Sequence, residues 1–206
     1  MDNKTGAHFE LLNVLSRGQT YLNVIYLLLT FPLGLVYFIF LTVGLSLGFG
    51  LLIIWVGIPI LLMTLLVWWW LILFERRMAL SFLAADIPEP APIPNRGTSL
   101  WNRFRDHISR PVTWKGLVYL LAKFPLGVVS FVLVTSFIAL SAGLIAAPFL
   151  YETGEYYWDS GWFEVDSFGE AILVAIGGFI LGILFLHLMN WMAEGWKWFT
   201  RLMLSD

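Results

Sequence analysis

"SRGQTYLNVIYLLLTFPLGLV" (Ser16–Val36) and "SRPVTWKGLVYLLAKFPLGVV" (Ser109–Val129) share one register, 93 residues apart. The identities are Ser16/Ser109, Arg17/Arg110, Thr20/Thr113, Tyr26–Leu28/Tyr119–Leu121 and Phe31–Gly34/Phe124–Gly127, and Val36/Val129, Phe38/Phe131 and Thr42/Thr135 continue them. Random apolar matching scatters. It does not return a Ser-Arg, a Tyr-Leu-Leu and a Phe-Pro-Leu-Gly in one frame, so the sequence reads as a tandem duplication. Both copies place a proline inside a long apolar run, where it costs about 3 kcal/mol against alanine in a helix. Each proline withdraws a hydrogen bond from the carbonyl four residues earlier, Leu28 for Pro32 and Leu121 for Pro125. The plain reading is a shared kink that shapes a bundle. The sharper one is a hinge at Pro32 and Pro125.

Outside the repeat, the chain remains apolar. Of 206 residues, 59% are hydrophobic and 13% charged, more apolar surface than a water-soluble domain of this size hides. The expected fold class is therefore an all-α integral membrane protein. Spanning takes about 20 apolar residues. Residues 21–47, 51–73, 117–149 and 170–192 qualify. Gly48-Phe49-Gly50 reads as a tight hairpin between the first two. The whole is one membrane domain over 1–206: a first helical hairpin unit at about 8–80, a linker at about 86–97 and a second unit at about 98–195.

Lysine and arginine set the orientation. Arg76, Arg77, Arg96, Arg103, Arg105, Arg110 and Lys115 lie between the second and third runs, with Lys4 and Arg17 before the first and Lys197 and Arg201 after the last. Connections 48–50 and 150–169 have none. Both termini and the middle loop are thus expected in the cytoplasm, with the chain a multi-pass protein of the plasma membrane. Four prolines in "DIPEPAPIPN" (Asp86–Asn95) indicate an extended linker. Leu100, Trp101, Phe104 and Ile108 suit an interfacial helix.

The two copies of the motif resemble the sensor domain found at the N-terminus of many bacterial and archaeal membrane histidine kinases. In that family a basic-aromatic lead-in, a Tyr-Leu-Leu step and a Phe-Pro-Leu-Gly-like step introduce the spans. The likeness covers roughly residues 10–195. It implies a four-span module that perceives something at the membrane and signals inward. Few residues follow the last run, so His107 and His187 inherit no phosphoacceptor role, and such a sensor would act through a separate protein. The resemblance carries no catalytic or ligand residues.

Chemistry is sparse. There is no cysteine, no phosphate-binding glycine loop, no nucleophile elbow and no histidine cluster at metal spacing. No enzyme, no cofactor and no metal are expected, and a net charge of −2 gives no attraction to nucleic acid. Lys123 and His187 are candidate intramembrane polar residues. For Lys123 the reading is a side chain that snorkels to the interface. For His187 it is a hydrogen-bonded packing residue near Asn190, with haem ligation the alternative. The outer loop Tyr151–Glu170 holds Glu152, Glu155, Asp159, Glu164 and Asp166 among aromatics and no basic residue. It reads as a solvated connector or as a surface sensing a cationic ligand. Gly44-x-x-x-Gly48, Ala139-x-x-x-Gly143 and Gly178-x-x-x-Gly182 offer close helix packing, within the bundle or in a homo-oligomer.

The expected function is a non-catalytic membrane sensor that relays an envelope or membrane signal to a cytoplasmic or membrane partner, with the lipid bilayer as its solvent. The alternative is an accessory subunit of a larger membrane complex, such as a transporter or electron-transfer assembly. A transporter built from the two repeats is weakened by the lack of polar residues at mid-membrane.

Overall fold

The computed structural model describes residues 14–85, 111–150 and 167–204. Among them there is helix and no strand. Helix α1 runs Gly18–Gly50 and α2 Gly57–Phe82, joined through a 3-10 turn at Leu52–Ile54. Helix α3 is Pro111–Ile145, α4 is the single turn Ala147–Leu150, and α5 is Phe168–Leu204. Four of these helical stretches are long and apolar enough to cross a membrane. At 1.5 Å per residue α1 is about 50 Å long, against a hydrocarbon core of about 30 Å, so it must tilt or project.

The helix ends follow local chemistry. Gly48, Phe49 and Gly50 are not the turn expected there: α1 continues through them, and the chain reverses at residues 51–56. Trp55 takes the left-handed conformation (φ 63°) and donates its N–H to Leu52 O at 3.1 Å. Gly57 then packs so tightly that a Cβ would stand 2.6 Å from the Leu51 carbonyl carbon. That close approach, not the earlier glycines, sets the reversal. Past residue 73, α2 carries Glu75, Arg76 and Arg77 and ends at Phe82. Ala84 (φ 48°) turns the chain out, and Ala85 N–H reaches Ala79 O. Pro111 opens α3, a position where its missing N–H costs nothing. A capping box opens α5: Glu170 N–H donates to Ser167 Oγ, and Ser167 N–H to a Glu170 carboxylate oxygen.

The chain divides into two compact units. The first comprises Met1–Val24 with Val132–Trp191. In it Ser141 Oγ donates to Gly178 O at 2.9 Å, and Phe137 stacks on Phe185 at 4.1 Å. Gly178 and Gly182 give room to Leu144 and Ser141. Gly143, expected to serve likewise, has open space beside it, because its face of α3 meets no described side chain. An amide ladder runs Gln19 to Asn23 to Asn190 to Thr20, with donor–acceptor distances of 3.0, 2.9 and 3.1 Å.

The second unit comprises Ile25–Phe131 with Met192–Asp206. Here the two Phe-Pro-Leu-Gly steps meet. A Cβ on Gly34 would stand 2.8 Å from the Lys123 carbonyl, and one on Gly127 would stand 2.8 Å from the Thr30 carbonyl. Phe31 packs on Phe131 at 5.1 Å and Phe38 on Phe124 at 4.9 Å. Each of these contacts has its counterpart at the 93-residue offset. Gly44 packs on Thr64 and Gly48 on Leu61, so that motif does bring α1 and α2 together. Pro32 and Pro125 both lie inside continuous helices.

Candidate functional site

A polar cluster lies in the second unit, inside an otherwise apolar bundle. Lys123 and Glu75 form an ion pair with both side chains fully buried. The snorkelling expected for Lys123 does not occur: its ammonium is closed off from the surface and its partner lies within the bundle. The Glu75 carboxylate also accepts Tyr37 OH at 2.7 Å and Tyr119 OH at 3.3 Å. Tyr119 OH in turn lies 3.2 Å from Thr200 Oγ1 and 3.5 Å from Tyr26 OH. Having one proton to give, Tyr119 serves Glu75 as donor while its lone pairs accept from Thr200 and Tyr26. Lys123 Nζ also sits 5.1, 5.9 and 6.0 Å from the ring centroids of Tyr26, Tyr37 and Tyr119, the range of cation–π attraction.

Every long helix contributes: Tyr26 and Tyr37 from α1, Glu75 from α2, Tyr119 and Lys123 from α3, Thr200 from α5. Trp196 closes the cluster, its ring edge on Tyr26 and its Nε1–H donated to Ser130 Oγ at 3.0 Å. Opposite charges cancel, and donors and acceptors are matched. An isolated charge in this setting would cost several kcal/mol. The arrangement can therefore hold four helices in one relation and make any other relation expensive.

In the sequence Lys123 stands out as a cation within a span, whereas Glu75 lies just past the second apolar run, next to Arg76 and Arg77, with nothing to mark it as a partner. Tyr26 and Tyr119 stand out there only as repeat identities. Their hydroxyls at matched positions in an apolar helix were the signal that they share a polar partner. His187 lies in the first unit. Its Nε2 is buried without a hydrogen-bond partner among the described residues, and Asn190 bonds Asn23 and Thr20 instead. Glu152, Glu155, Asp159, Glu164 and Asp166 lie outside the described residues, as do the linker and the segment Ser99–Ile108.

Among protein families, residues 26–204 match the one described as "Putative sensor". The chain belongs to that family. The matched residues take in the whole cluster, from Tyr26 to Thr200, so the buried network lies inside the sensor-family region of the chain. No curated protein and no solved structure matches this chain. Family membership and four membrane-spanning helices together describe a membrane sensor-like protein.

Proposed function

We propose that this sensor-family member is a non-catalytic four-span module that relays an envelope or membrane signal to a separate cytoplasmic or membrane partner. One observation carries the reading: a single charge-paired network draws a side chain from each of the four long helices. Movement of any one helix must either preserve that network or break it, which makes the helix arrangement two-state rather than continuously deformable. The close crossing of Gly34 and Gly127 is the joint, with Pro32 and Pro125 beside it. The reciprocal contacts at the 93-residue offset support a tandem duplication of two hairpins within one membrane domain.

In this reading both termini and the middle loop are cytoplasmic, the membrane is the plasma membrane, and the acidic loop Glu152–Asp166 receives the signal. Tags placed in residues 88–96 should be protected in intact cells and tags in 153–161 accessible, and the reverse result would overturn the orientation.

The relay itself is tested on the cysteine-free chain with a fluorophore on a cysteine at Arg105, while divalent cations or a polycationic peptide are titrated. The signal should change in wild type and not after Glu155, Asp159, Glu164 and Asp166 become amides. Identical responses would make the loop a connector. The accessory-subunit reading would then lead, and native-membrane purification would show stoichiometric co-purifying subunits.

A further inference from the structure

An apolar groove opens in the first unit, with a volume of about 380 Å³. Tyr21 and Val24 of α1 form one wall, Ile138 and Ser141 of α3 a second, and Phe179 and Gly182 of α5 the third. The stacked pair Phe137 and Phe185 also lines it. Gly182 contributes no side chain, and Ser141 Oγ takes the space its Cβ would fill, so α3 and α5 close together at the floor of the groove.

Two hydroxyls border the groove, and both are already committed. Ser141 Oγ donates to Gly178 O, and Tyr21 OH donates to Leu15 O at 3.0 Å. An occupant therefore finds apolar contact along the groove and little to hydrogen-bond. Size narrows the choice further. A helix with its side chains is about 10–12 Å across, so even two turns of one need about twice this volume or more. One unbranched chain fits. The groove is built from three membrane-spanning helices, so its surroundings are hydrocarbon rather than water. One end carries hydrogen-bonding groups: Val24 and Met189 line the groove, and the adjoining residues Asn23 and Asn190 belong to the amide ladder, with exposed Arg17 one turn before Tyr21.

We infer that this groove is a binding site for one acyl chain of a membrane phospholipid, its headgroup toward the Arg17–Gln19 end. A lipid-binding site of this kind deepens the sensor reading, since it makes lipid composition a quantity the module can register, and it rests on that reading only for its consequence. Binding itself stands on the groove.

The test uses the full chain in nanodiscs containing a phospholipid with a photoreactive group in its acyl chain. Mass spectrometry then maps the adducts. Adducts should concentrate on Tyr21, Ile138 and Phe179, saturate, and be competed by unlabelled phospholipid. Ala142→Trp, which fills the groove from its exposed rim, should lower them about tenfold, equivalent to about 1.4 kcal/mol of affinity. Ile138→Trp is the second filling variant should the first fail to fold, and far-ultraviolet circular dichroism and melting check both. Adducts spread evenly over outward residues such as Leu173 and Val132, and unchanged by the filling variants, would mean annular lipid and overturn the proposal. So would competition by free fatty acid but not phospholipid, or no adduct at all on the groove residues, as when polypeptide from a second copy or another stretch of this chain fills it. Occupancy is read without any relay, so lipid binding with no inward response would count against the sensor reading alone.

Discussion

The backbone of Lys123 lies against Gly34, so close that a single methyl group would stand 2.8 Å from its carbonyl. The residue that carries the buried charge is thus also the point where α3 crosses α1. Position and charge are fixed by the same contact, and the site's properties follow from both.

Gly34→Ala and Gly127→Ala should each destabilise the protein by about 1–3 kcal/mol, because backbone cannot yield as a flexible side chain can. Gly143→Ala and Gly177→Ala meet nothing within 4 Å and should be neutral or slightly stabilising, since alanine favours helix by up to about 1 kcal/mol. Thermal melts of the four purified variants in one detergent check the contrast.

Removing one partner of the ion pair should cost more than removing both. Glu75→Leu or Lys123→Met alone leaves an uncompensated buried charge, a loss of about 3–5 kcal/mol. The double variant should recover much of that. A double-mutant cycle by denaturant titration measures the coupling, and additive single effects would show that the pair does not act as a unit.

The tyrosine hydroxyls should separate by their roles. Tyr37→Phe removes one donor to Glu75, and Tyr119→Phe removes the hydroxyl shared by Glu75, Thr200 and Tyr26. Leaving a buried carboxylate short of a donor costs about 1–3 kcal/mol, and Tyr119→Phe should cost the more of the two. Melts of both variants beside Thr200→Val show whether Thr200 acts through Tyr119.

Asn190→Leu breaks the ladder to Asn23 and Thr20. Interhelical hydrogen bonds in membranes average about 0.6 kcal/mol and reach about 1.7, so the loss should be modest. It should fall in the first unit, read as faster amide exchange in residues 18–24 and 185–191 with protection at Glu75 and Lys123 retained.

The fold was legible where it rests on composition. Residues 18–74 contain no charged side chain, and that alone announces two helices. Their ends were less so. Glycines at 48 and 50 look like a turn, yet Gly48 is held in the helix by its packing on Leu61, Gly50 follows as the last helical residue, and the reversal comes at the close approach of Gly57. The repeat pointed straight at the crossing, because Phe-Pro-Leu-Gly is the contact surface. The ion pair was hidden for a different reason. Glu75 and Lys123 are 48 residues apart and on separate helices, and a lone lysine in an apolar run gives no sign of its partner's place.

The central claim is that the buried network fixes the arrangement of the helices at the crossing. Its most direct test is a distance between spin labels on cysteines at Arg77 in α2 and Arg201 in α5, both exposed, in a chain without native cysteine. Pulsed electron paramagnetic resonance in nanodiscs should give one narrow distribution in wild type, and a broadened or shifted one in both Glu75→Leu and Lys123→Met. A distribution unchanged in both variants would contradict the account.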